Sequence, residues 1–155
     1  MIICTSFSRL QTTLAPRVAV VGNFDGVHRG HIHLLTRARA HGTPLAVVTF
    51  DPHPVEVLHP DRPFFKLSTK TQKLQRLRQA KVDGVALIPF NRETARIPAE
   101  RFARQLLLDL AVPALFIGSN FRFGAGREGT PQMLKELAAQ TGTQVLSLPT
   151  LDSDR

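Results

Sequence analysis

Val18-Ala19-Val20-Val21-Gly22-Asn23-Phe24-Asp25-Gly26-Val27-His28-Arg29-Gly30-His31 runs from an unbroken apolar stretch into a glycine-rich turn, and a helix-forming segment follows directly. A strand that is apolar at every position is buried on both faces, which is the habit of parallel sheets. The same kind of run recurs at 45–50, 84–90, 113–118 and 143–148. Between these runs lie helical patterns. One spans Gly30 to His41, with Leu34, Leu35 and Ala38 on one side, and stops at Gly42, a residue suited to a left-handed helix end. The second is opened by Thr69 and Gln72 in capping-box spacing and buries Leu74 and Leu77. The third begins at Pro98 and places Phe102, Leu106 and Leu110 on one face; the fourth opens at Thr130-Pro131 and ends at Gly142. This alternation predicts an α/β domain with a five-stranded parallel sheet and helices on both faces. Ligands of such sheets bind beyond the carboxyl ends of the strands, so the loops after the first, second and fourth strands are the places for chemistry.

The chain has 155 residues, of which 43% are hydrophobic and 21% charged. That length suits one domain, 1–155, which buries about 70% of its unfolded surface. The single cysteine, Cys4, has no partner for an intramolecular disulfide. The apolar stretch at the N-terminus lacks the charge and length of a signal peptide, and no apolar run approaches the roughly 18 residues of a membrane span. A cytoplasmic protein with no membrane partner is therefore expected. The net charge of +8 is concentrated: Arg62 to Arg104 holds eleven Lys or Arg against Asp83, Glu93 and Glu100. Such a stretch suits a polyanion. With no Trp, no Tyr and no nucleic-acid-binding motif, a nucleotide or plainly solvated helix faces are preferred to nucleic acid.

The turn after the first strand carries glycines at 22, 26 and 30, but its spacing is neither that of the dinucleotide fingerprint nor that of the Walker A loop. What it offers is a turn feeding a helix N-terminus, where free N–H groups and the helix dipole favour an anion. His28 and His31 stand at that mouth and can face one phosphate, whereas His33 points elsewhere. Two other readings compete: one histidine caps the loop while the other is a solvated helix residue, or His28, His31 and His33 bind a metal. The metal reading lacks the i, i+4 histidine spacing usual on a helix, and no metal ligand is assigned.

This turn resembles the His-x-Gly-His signature of nucleotidylyltransferases, in the extended form found in prokaryotic-type FAD synthetases. Thr49-Phe50-Asp51-Pro52-His53-Pro54 and Gly118-Ser119-Asn120-Phe121-Arg122-Phe123-Gly124 are similar to that family's second and third motifs, and the likeness covers roughly 18–150. It implies a Rossmann-like nucleotidyltransferase fold and transfer of AMP from ATP to FMN, giving FAD and pyrophosphate with Mg2+. It also implies catalytic roles for His28, His31 and Asn120, and nucleotide binding by Gly22, Asn23, Phe24, Asp25, Gly26 and Gly30. Flavin binding falls by the same resemblance to Pro52, His53, Pro54, Asn120, Phe121, Arg122 and Phe123. Pro52 and Pro54 are expected to hold a rigid, extended loop, and alternation of Phe121 with Phe123 is expected to turn one ring outward and the other inward.

Two departures accompany the likeness. The family is usually fused to a riboflavin kinase domain, for which this sequence has no counterpart, and it continues into a Ser-Ser/Thr segment ending in an arginine. This chain ends Leu151-Asp152-Ser153-Asp154-Arg155 without that segment. Many relatives also have Asp where Asn120 stands. The alternative function is a weakly active or non-catalytic flavin or nucleotide binder; a different adenylyl or cytidylyl transferase is disfavoured by the second and third motifs.

Overall fold

The computed structural model describes residues 1–59, 61 and 69–149. The chain end at 151–155 and the first part of the basic stretch, 62–68, lie outside the described residues. Six strands form one parallel sheet: β1 (Ile2–Cys4), β2 (Val18–Val21), β3 (Leu45–Asp51), β4 (Gly84–Pro89), β5 (Ala114–Gly118) and β6 (Gln144–Leu148), in the spatial order β1-β4-β3-β2-β5-β6. The expected five strands are all present, and the sixth corrects the count. β1 comes from the N-terminal apolar stretch, which is too short to read as a strand from sequence. Three residues are too few to show a pattern, and what makes them a strand is pairing with β4, Ile2 opposite Gly84. A short edge strand of this kind also limits the open edge of the sheet.

The described α-helices are α1 (Phe7–Leu14), α2 (Arg29–His41), α3 (Pro54–Leu58), α4 (Lys70–Gln79), α5 (Ala99–Gln105) and α6 (Pro131–Ala138). A π-helical stretch, Leu106–Leu110, continues α5. Alternate residues of each strand serve opposite faces. Ala19, Val21, Val48, Leu115 and Ile117 pack with α1, α5 and α6, whereas Val18, Val20, Val47 and Phe116 pack with α2 and α4. Both faces are thus covered, as the uniformly apolar strands require.

Local signals set most helix ends. Thr69 and Gln72 form the expected capping box on α4, and the Thr130 hydroxyl accepts from Met133 N–H at 3.1 Å with Pro131 in the first turn of α6. Three ends differ. Gly42 closes α2 in an extended conformation (φ 165°), and its N–H reaches Ala38 and Arg39 carbonyls, so no left-handed turn is used there. Pro98 is the cap of α5, making Ala99 its first residue. α6 proper stops at Ala138, and the chain turns on to Gly142 (φ 83°). On α4, Lys73 and Leu77 are the buried residues while Leu74 is only partly so.

Candidate active site

Because every strand runs the same way, the loops after β2, β3 and β5 emerge along one edge of the sheet. β2 lies between β3 and β5, with Val18 opposite both Leu45 and Ala114. From β2 the chain moves to β3 on one side, and β5 leads to β6 on the other, so this is the reversal of strand order beside which such sheets bind their ligands.

The turn from Gly22 to His28 is held in a costly shape. Phe24 (φ 52°), Gly26 (φ 82°) and Val27 (φ 43°) are all left-handed. For a buried phenylalanine and a β-branched valine each such residue costs about 1–3 kcal/mol and persists only where surrounding contacts over-determine it. Those contacts are present. Phe24 is fully buried, with its ring 4.7 Å from that of His31; Gly22 N–H donates to Val48 O at 3.1 Å; and Thr49 Oγ1 donates to Asn23 O at 3.0 Å. Asn23 Oδ1 is a buried acceptor with no partner among the described residues. Gly22 matters here because a Cβ would stand 3.2 Å from the Phe24 ring.

His28 and His31 are brought together, their rings stacked 3.8 Å apart at the start of α2. His28 Nδ1 accepts from Gly30 N–H and His31 Nδ1 accepts from His28 N–H, both at 3.1 Å, a capping box built from two imidazoles. Ser, Thr, Asp or Asn usually performs this task. With Nδ1 occupied as an acceptor, the neutral form of each ring carries its proton on Nε2, leaving an N–H donor on the side away from the backbone. Capping and anion binding are thus compatible, because they use different nitrogens. His31 is partly buried although it lies in the first turn of α2. Burial, reinforced by the His28 ring and then the Lys73 ammonium, lowers its imidazole from 6.5 to about 3.

A pH dependence follows from that shift. Between about 6.5 and about 3 the unfolded chain takes up a proton at His31 that the folded chain refuses, so stability is lost as pH falls through this window. His31→Gln keeps a side chain able to complete the box but removes the titration. Urea unfolding at a series of pH values is expected to show a shallower acid limb for the variant, by up to about 1.4 kcal/mol per pH unit. Parallel limbs would place the proton uptake elsewhere.

The second loop departs from expectation. Pro54 begins α3, and His53 caps it: His53 N–H donates to Glu56 Oε2 at 3.2 Å and Glu56 N–H returns to His53 O at 2.9 Å. Pro52-His53-Pro54 is therefore a turn into a helix, consistent with proline's fitness for a first helical position, and not an extended loop. In the third loop Asn120 and Arg122 are exposed. Phe121 and Phe123 differ in burial as expected, but the segment is a turn and not a strand, and the two rings lie against each other. Phe121 N–H bonds Gly118 O, the two rings stack 6.4 Å apart, and Phe121 also lies parallel to Phe50 at 6.2 Å. Phe123 is buried, so only the half-buried Phe121 of the pair can meet a ligand.

The sequence reading missed Lys73, whose buried Nζ donates to Asn23 O, Thr49 Oγ1 and Phe50 O at 2.9, 3.2 and 3.2 Å, and Arg76, whose Nη1 donates to Gly26 O at 2.8 Å. The signal was available for the first: Lys73 stands four residues before Leu77 on the inward stripe of an otherwise polar helix. Among the described residues no three His, Cys, Asp or Glu side chains converge as a metal cage, and no helix is long and apolar enough to cross a membrane. Surface grooves of about 510 and 520 Å³ run between α2 and α4 and along α5, and neither is lined by His28 or His31.

The model of the FAD synthetase family matches residues 10–155. This chain belongs to that family. Its curated relatives include the bifunctional riboflavin kinase/FMN adenylyltransferase of Escherichia coli K12, 38% identical over 138 residues covering 86% of this chain and 44% of that protein. The Pseudomonas fluorescens protein of the same name is 36% identical over 148 residues, 88% of this chain and 45% of the relative. The chain thus spans less than half the length of these FAD synthetase relatives. Among solved structures, a macrolide-efflux protein from Streptococcus pneumoniae superposes with a TM-score of 0.80 at 23% identity, covering 99% of this chain and 52% of the other. Pantoate-beta-alanine ligase from Francisella tularensis does so at 0.67 and 18%, covering 99% and 68%. At these identities the likeness is one of fold.

Proposed function

We propose that this domain, 1–155, has the nucleotidyltransferase fold and is an FMN adenylyltransferase, with ATP and FMN as its substrates. The observation that carries the reading is the His28–His31 stack at the start of α2, where each ring uses Nδ1 for the cap and its neutral form keeps an Nε2 donor. In the reaction a phosphate oxygen of FMN attacks the α-phosphorus of ATP. The bond from that phosphorus to the bridging oxygen breaks, and pyrophosphate leaves with the electron pair. Such a step needs positioning and charge stabilisation and little covalent help from the protein. The positive end of α2 and the two imidazole donors face the polyphosphate, where negative charge moves toward the leaving oxygen, and Gly26 and Gly30 leave the backbone there without side chains to obstruct it. His31, neutral at physiological pH, acts here as a fixed donor and not as a base.

Asn23 and Asp25 are assigned to the nucleotide side. The orphaned Asn23 Oδ1 calls for a donor such as an amine or a ribose hydroxyl, since phosphate offers only acceptors. Phe24 and Phe123, being buried, support the site from below. Pro52, His53, Pro54, Phe121 and the exposed Asn120 and Arg122 border the flavin side, with Asn120 nearest in role to the reacting phosphates. The residues described here do not fit a protein-built metal cage. Mg2+ would arrive on the nucleotide, where it would mask phosphate charge, and none of the roles above depends on it.

Calorimetry tests the cleft directly. FMN and ATP are each expected to bind, and FAD, which contains both halves, is expected to compete with both at a stoichiometry of one per chain. Independent sites for ATP and FAD, or no binding by any of the three at millimolar concentration, would overturn the assignment.

A further inference from the structure

We propose that Lys73 is a positioning residue that ties the ends of β2 and β3 together and so holds the strained Gly22–His28 turn in the shape that presents His28 and His31 to a ligand. The inference rests on the adenylyltransferase reading for what the turn does, but its geometry stands independently. A lysine is rarely buried unless it is paired, because removing an ammonium from water is costly. A leucine or methionine at this position of α4 would fill the inward stripe without that cost.

Three hydrogen bonds of Lys73 show what the charge does here. One goes to Asn23 O in the turn, and two go to Thr49 Oγ1 and Phe50 O at the end of β3. Asn23 O receives the Thr49 hydroxyl as well, so both of its lone pairs are used. One helical turn further along α4, Arg76 takes Gly26 O. Helix α4 therefore grips the turn on both sides of Phe24, the first of its left-handed residues, and Val27 follows directly after the second grip. A backbone strained at two non-glycine positions needs such external bonds. The same ammonium also acts on His31, helping to keep its imidazole uncharged.

The test is amide hydrogen exchange on the full chain with Lys73→Met, which keeps length and bulk but removes the three donors. The reporters are the amides of His28 and Gly30, which bond to His31 Nδ1 and His28 Nδ1, with those of Val20 and Val47 as sheet controls. The expected result is exchange at His28 and Gly30 faster by roughly tenfold to a hundredfold, the equivalent of one lost charge-assisted hydrogen bond, with the controls unchanged. Unchanged protection at the two reporters overturns the proposal. So does a uniform loss that includes Val20 and Val47, the pattern of a merely structural lysine. Should Lys73→Met fail to fold, Thr49→Val decides the question: it removes the hydroxyl shared by Lys73 and Asn23, and it is expected to loosen the same two reporters by a smaller factor. Because exchange requires no turnover, a chain that made no FAD would still test the clamp, and a failed clamp would leave the adenylyltransferase reading standing.

Discussion

Replacing His28 with Ala is expected to slow FAD formation by about 10²- to 10³-fold, the cost of removing one preorganised donor from a developing negative charge. The Ala variant also loses the helix cap, because His28 Nδ1 accepts from Gly30 N–H, and that loss is worth about 1 kcal/mol of stability. His28→Asn separates the two effects, since Asn is a good cap but offers no imidazole. Steady-state rates and urea midpoints are therefore expected to divide. Both variants lose the rate, and only the Ala variant loses stability. An Asn variant that turned over at the wild-type rate would leave His28 with the cap alone.

The largest loss of stability is expected at Gly124, where the third loop meets the start of α5. Its φ is 81°, and a Cβ would stand 2.4 Å from Ala99 Cα and 2.7 Å from Ala99 N, backbone atoms that cannot rotate away. The loop is already docked there by the bond from Ala125 N–H to Ile97 O at 2.8 Å. Gly124→Ala adds a left-handed penalty of about 1–2 kcal/mol to an overpacking cost of about 1–3 kcal/mol. Gly142→Ala is the matched control, with φ 83° and open space around the added carbon, so it carries the conformational penalty alone. Urea unfolding of the two variants checks the difference, and equal losses would show that the close approach to Ala99 is unimportant.

What could be read from the sequence followed from how local each signal is. The five long strands are legible because Val18–Val21 and its counterparts are apolar throughout, and the caps at Thr69 and Thr130 because capping is settled within four residues. β1 was not legible, because Ile2–Cys4 is a strand only by virtue of Gly84–Ala86 beside it. In the site, the motif glycines and histidines announced themselves, but their chemistry depended on contacts no spacing reveals. The stacked rings and the Nδ1 bonds are as local as any cap but use imidazoles where Ser, Thr, Asp or Asn is usual, and the bond from Lys73 to Asn23 across fifty positions of sequence arises only when α4 packs against the turn. Phe123 packs inward and Phe121 stays half-buried, but a turn after Gly118 sets this difference and not strand alternation, so the two rings also stack on each other.

The most direct measurement is a chromatographic assay of the purified chain with FMN, ATP and Mg2+, following FAD and pyrophosphate together. Equal amounts of both products are expected, at a rate that falls by about 10²- to 10³-fold in His28→Asn while the variant remains folded. A folded chain that binds FMN and ATP yet forms no FAD, or one that forms it equally fast without the His28 imidazole, would contradict the account.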